Sequence, residues 1–200
     1  MKILVTEKQL EQIVLNKSEL LSEEEVKYNP NEWNDNANKI YERLKQHRLP
    51  EKSIAAIMAN LYIESRFKPT AIGDTKLKGG SSVGIAQWRE SRKEGLINFA
   101  KKNNKNPNDI ETQVDYLIHE INTVPSYSET KKVIYDPNIS LADTTSTFTK
   151  NYEIPANKES EGDKRANIAH QMVSTHKEKF PKTLISQSNL PDFLKRIYQK

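Results

Sequence analysis

The chain has 200 residues, of which 35% are hydrophobic and 8% aromatic: enough for one ordinary core with short arms, and lean for a globular domain. Its 31 basic and 27 acidic residues leave a formal charge of +4, and the lysines are scattered, so a mixed solvated surface fits better than a nucleic-acid face. The absence of cysteine excludes disulfides and thiolate metal sites and suits synthesis in a reducing compartment. No apolar run approaches the roughly 18 residues of a membrane span. The opening MKILVTEKQLEQ holds too short an apolar stretch for a secretory signal.

Nearly every segment reads as helix. Thr6 and Gln9 form a capping-box pattern, and Leu10, Ile13, Val14, Leu20 and Leu21 follow at helical spacing. The Asn29-Pro30-Asn31 turn closes this arm. A second helix carries Ala37, Ile40, Tyr41 and Leu44 on one face and breaks at Leu49-Pro50. The next runs from Glu51 to Arg66 with Ile54, Ile57, Met58, Leu61 and Tyr62 as its stripe, and Pro50 suits its first turn. Lys68 to Val83 is an irregular loop, and four of the chain's six glycines fall between Gly73 and Gly84. A long loop directly after a buried helix is more often part of a site than a plain excursion. Further helices are predicted over Ser91–Lys102, from the Asp109 cap through Ile121, over Ser126–Ile134, over Ser140–Tyr152 and over Gly162–Phe180. The tail Leu190–Tyr198 is a small amphipathic set. The pattern describes a mainly helical, all-α domain over 32–182, with a small irregular or β region, between an N-terminal arm (1–31) and a C-terminal tail (183–200).

Ile57, Leu61 and Glu64 are spaced four and three apart, so they share one line of a helix on its apolar side. Partial burial of a carboxyl favours its protonated form, the property a general acid for glycosidic cleavage requires. Pairing with Arg66 or Lys68 at a frayed helix end is the bland alternative. Other chemistries find no support. His47, His119, His170 and His176 never fall four apart as a helical zinc pair does, and neither a calcium loop, a phosphate-binding glycine loop nor a serine elbow is present.

The string NLYIESRFKP, then the glycine-bearing loop, then SVGIAQWRESR, resembles the phage tail lysozyme family. That family belongs to the lysozyme-like superfamily and is related to goose-type lysozymes and lytic transglycosylases. The resemblance extends over about 33–180 through Gln113, Leu117 and Glu120, through Phe148, Tyr152 and Glu153, and through Arg165 and Ala169. It implies a lysozyme-like fold with Glu64 of the Glu64-Ser65 pair as catalytic acid. It also implies a sugar cleft lined by the Gly84-Ile85-Ala86-Gln87 segment, with Tyr152 reaching it. Gly84 lets backbone approach a sugar closely, and Gln87 offers both a donor and an acceptor. Trp88 suits stacking on a sugar face and suits the core equally well. For a second carboxylate, Asp74 is placed by chain order to face the cleft, against the plain reading of an Asx turn beside Gly73. Glu153 and Glu90 stand behind it. Where the family often has Tyr-Glu-Arg-Pro, this chain has Tyr152-Glu153-Ile154-Pro155, so the arginine's ion pairing is missing.

The expectation from this resemblance is a muramidase cleaving the β-1,4 bond between MurNAc and GlcNAc of bacterial peptidoglycan, with no metal or cofactor. Its expected setting is a phage virion as a tail lysin, or the host cytoplasm before release as an endolysin. The arms would meet other tail proteins. The rival expectation is a lysozyme-fold tail protein that binds glycan without turnover, against which the retention of both Glu64 and Gln87 argues.

Overall fold

The computed structural model describes residues 27–73 and 80–180. The predicted arm helix after Thr6, the whole C-terminal tail (183–200) and Asp74 therefore lie outside the described residues. Among the described residues, seven α-helices and one two-stranded hairpin form a mainly helical fold. Among the described residues no helix is long and apolar enough to cross a membrane.

Helix α1 (Asp35–Gln46) starts where the Asn34 side chain accepts from the backbone N–H groups of Asn36 and Ala37, and it buries Ala37, Ile40, Tyr41 and Leu44. After Leu49 the chain turns into α2 (Glu51–Ser65), whose first N–H groups reach the carbonyl of Pro50. Helix α2 buries every residue from Lys52 to Tyr62, not one stripe. Such all-round burial marks a helix threaded through a core, and α2 packs against α1, α6 and α7. It stops at two consecutive left-handed residues, Arg66 (φ 53°) and Phe67 (φ 62°). Each costs a non-glycine residue roughly 1–2 kcal/mol. The turn drives Phe67 to full burial against Tyr62 and Trp33, which offsets that strain.

The loop expected after α2 contains a short antiparallel hairpin, β1 (Ile72–Gly73) against β2 (Ser82–Val83), in register Ile72 to Val83 and Gly73 to Ser82. Helices α3 (Glu90–Lys102) and α4 (Ile110–Thr123) follow, α4 capped by Asp109 as expected. A 3-10 turn at Pro125–Tyr127 leads into α5 (Ser128–Tyr135). Helix α6 (Leu141–Phe148) is capped by the Ser140 hydroxyl.

Two predicted spans differ from the structure. The helix expected through Tyr152 widens after Phe148 into a π turn, Thr149–Glu153, closed by the Ile154 N–H on the Thr149 carbonyl at 3.0 Å. The closing helix α7 covers Lys158–Thr175, not 162–180. Glu159 and Glu161 favour its earlier start beside the positive helix end. It stops sooner because His176 turns out to meet the Tyr28 hydroxyl (2.6 Å) and the Trp33 ring (4.2 Å). The turn lets Phe180 pack edge-on against Tyr41. Tyr28 is itself buried against Tyr62, so the described end of the N-terminal arm belongs to the packed body.

Candidate active site

Glu64 lies in the last turn of α2, where the helix emerges from the core. Its side chain is 20% exposed, and its Oε1 is 2.6 Å from Nη2 of Arg165, a residue of α7 that is 4% exposed. The bland alternative for Glu64 was a pairing with a sequence neighbour, Arg66 or Lys68. Instead, Arg66 lies over the Tyr62 ring at 4.0 Å and toward Glu32, while Lys68 is exposed. Asn60, one turn before Glu64 and on the same side, is fully buried. Its Oδ1 accepts from Arg165 Nη1 (3.0 Å) and Thr149 Oγ1 (2.9 Å), and its Nδ2 donates to the Ala56 carbonyl. One buried amide thus ties α2, α7 and the π turn into a fixed cradle for Glu64. Glu161 approaches the far side of the same guanidinium at 3.6 Å.

Ser65 links the acid to the glycine turn. Its hydroxyl lies 2.9 Å from the Ile85 carbonyl and 3.1 Å from the Leu61 carbonyl, so one proton is shared between helix and turn. Gly84 is left-handed at φ 77°, and a Cβ there would meet the Gln113 side chain at 2.8 Å. Gln113 needs that space. Its Oε1 accepts from the Ile85 N–H at 2.9 Å, and its Nε2 donates to the carbonyls of Pro69 and Pro107, each at 2.8 Å. Gln87, also at positive φ, turns its amide inward: Oε1 accepts from Ser82 (2.6 Å) and Nε2 donates to the Gly84 carbonyl (2.9 Å). The donor and acceptor expected to face a sugar hold the turn in shape.

Trp88 and Tyr152 are both fully buried, so neither offers a ring face to a glycan in this conformation. They form an inner wall around Glu120, a carboxylate 4% exposed. Glu120 Oε2 accepts from Tyr152 (2.7 Å), Trp88 (3.2 Å) and Arg92 (2.9 Å), and Oε1 accepts from Arg92 Nε (2.9 Å). Arg92 also stacks over the Tyr152 ring at 4.4 Å. Burial pushes the Tyr152 hydroxyl well above its ordinary range and the Glu120 charge adds to that, against the opposing pull of Arg92. Tyr152 is therefore a neutral donor.

The phage tail lysozyme pattern matches residues 35–175. The chain belongs to the phage tail lysozyme family. A search of curated proteins gives no match. The span matched to the phage tail lysozymes contains Glu64, the Gly84–Gln87 turn, Glu120, Tyr152 and Arg165. Ile154, where the resemblance suggested an arginine, is left-handed (φ 55°) and 53% exposed. Sequence reasoning passed over Asn60 and gave Arg165 no role at the acid. An asparagine inside the apolar run IAAIMANLYI was the available signal, because a buried amide needs partners from outside its own helix.

Proposed function

We propose that this chain is a peptidoglycan muramidase that cleaves the β-1,4 bond between MurNAc and GlcNAc, with Glu64 giving a proton to the leaving oxygen. Membership of the phage tail lysozyme family supports a lysozyme-like protein acting on bacterial peptidoglycan. The observation that carries the finer reading is the setting of Glu64. It is a carboxyl fixed at the end of the most buried helix, partly open to solvent, beside the Gly84–Gln87 turn to which Ser65 binds it. A general acid works best when its geometry is set before substrate arrives. The backbone of the turn serves as the glycan contact, while Gln87, Trp88 and Tyr152 shape the wall behind it. The chain acts as a virion-borne tail lysin that opens the wall, its arms joining other tail proteins.

Digestion of purified peptidoglycan, read by mass spectrometry beside a Glu64→Gln control, tests this. Muropeptides ending in reducing or 1,6-anhydro MurNAc are expected from the wild type, with at least a ~100-fold loss in the variant, the scale of a removed general acid. Wall binding without cleavage across several wall types would instead identify a glycan-binding structural protein.

A further inference from the structure

A cavity of about 510 Å³ opens between α3 and α4, and neither Glu64 nor the Gly84–Gln87 turn lines it. Its volume falls within the roughly 300–1,000 Å³ of small-ligand pockets. The floor is fixed by packing. Gly95 leaves α3 without a side chain where the Tyr116 hydroxyl lies, since a Cβ there would collide with that oxygen. The hydroxyl so admitted donates to the Arg92 carbonyl at 2.9 Å, and Tyr116 and Glu120 are both buried at the base. Phe99 packs on the Tyr116 ring at 5.6 Å and on the exposed His119 ring at 5.0 Å, the latter 35° from parallel. Polar groups stand around these rings. Asn98 and Lys102 line the cavity from α3, and both are exposed. Among the described residues, the Asn98 amide, the His119 ring nitrogens and the Lys102 ammonium have no hydrogen-bond partner in the protein.

Ring faces ringed by a few convergent polar groups are the make-up of a small-ligand site. A pyranose sugar fits this lining, with C–H groups to lay on a ring and polar substituents around its edge. An amide at that edge supplies both a donor and an acceptor. Lys102 adds a charge that a neutral sugar would leave unused and a carboxylate would meet. A nucleic-acid strand would need a track of cations, and this cavity offers one lysine. We propose that the α3–α4 cavity is a second glycan site, separate from the cleft at Glu64, that holds an N-acetylmuramic acid unit of the wall. The sugar lies against Phe99 and His119, with the carboxylate of its lactyl-linked stem at Lys102. This rests on a peptidoglycan target, not on catalysis by Glu64. The site keeps the polymer on the protein between cleavages.

NMR of the full chain, titrated with muramyl dipeptide and in parallel with neutral chitotetraose, tests it, with Glu64→Gln run beside the wild type. Muramyl dipeptide should shift the Asn98 side-chain amide and the His119 ring signals equally in both chains. Its Kd should rise roughly tenfold in Lys102→Glu and in His119→Ala, the scale of one lost charged or ring contact. Chitotetraose should bind there roughly tenfold more weakly, for want of a carboxylate. Lys101→Glu makes the same charge change one residue outside the cavity and should leave Kd as it was. All of these side chains but Asn98 can be changed at the surface, so circular dichroism should match wild type. On whole sacculi, Lys102→Glu should raise KM with kcat unchanged. Absence of shifts at Asn98 and His119 overturns the proposal. So does chitotetraose binding as tight as that of muramyl dipeptide, or a Lys101→Glu effect equal to that of Lys102→Glu. Signals there that answer to Phe193→Ala and to neither sugar would show the chain's own tail segment in the cavity, and overturn it too. A wild type that cleaves no glycan yet binds muramyl dipeptide here removes the muramidase reading and leaves this site standing.

Discussion

Replacing Gly84 with alanine isolates the joint between the acid and its turn. The residue is left-handed (φ 77°), where an L side chain costs about 1 kcal/mol or somewhat more. The new Cβ would stand 2.8 Å from Gln113 Oε1 and 3.1 Å from its Cδ and Nε2, so the amide must move. That amide makes three hydrogen bonds in the core. At roughly 0.7 kcal/mol for each of the three bonds weakened, added to the backbone strain, the whole change costs about 3 kcal/mol. Thermal unfolding should fall by about 6–12 °C, at roughly 2–4 °C per kcal/mol for a chain of this size. Gln113→Ala separates the two contributions: on that background Gly84→Ala should cost only its backbone strain, leaving a coupling of about 2 kcal/mol. A drop below about 2 °C for Gly84→Ala, or full additivity in the cycle, would refute the idea that the glycine exists to admit Gln113.

Glu120→Gln should destabilise by about 3 kcal/mol, because Trp88, Tyr152 and Arg92 converge on one oxygen and the charge opposite Arg92 is lost. Urea unfolding followed by tryptophan emission will measure it, and a change under about 1 kcal/mol would contradict the wall as described. Asp115 joins α1 to α4 through Arg43, His47 and Lys105, with contacts of 2.7–2.9 Å. Burial pushes its carboxyl upward, and the hydrogen bonds from those three residues outweigh it, holding Asp115 well below the ordinary range. Its contribution is therefore full above the unfolded-state pKa near ~4 and fades as pH falls below that. Asp115→Asn should cost about 1–2 kcal/mol at neutral pH, with partly exposed partners limiting the effect, and the gap should close in acid. A gap that persists unchanged to about pH 2 would show that the charge is not its origin.

The helix positions were legible because caps and apolar spacing act locally: Asp109 and Ser140 each cap the helix expected to start there. The apolar line through Ile57, Leu61 and Glu64 described only part of that helix's surroundings. Helix α2 is buried on all sides, and Glu64 is reachable because it falls in the last turn. What spacing could not reveal is long-range. Arg165 comes to Glu64 from 101 positions away, and Glu153 is turned inward by a π turn that no periodicity announces. By resemblance Tyr152 read as reaching the cleft, while Trp88 suited a sugar face and the core equally well. The buried Glu120 charge draws their polar atoms inward instead.

The all-round burial of α2 separates two evolutionary freedoms. Nearly any change along that helix disturbs a packed neighbour, so the acid is mounted on the part of the chain least able to drift. The hairpin beside it carries the open Ile72, 68% exposed, on strands of only two residues each. Under the muramidase reading, a library confined to Ile72 would vary the open edge of the hairpin at little risk to the packing, whereas Ser82 is tied to Gln87 and has no such freedom.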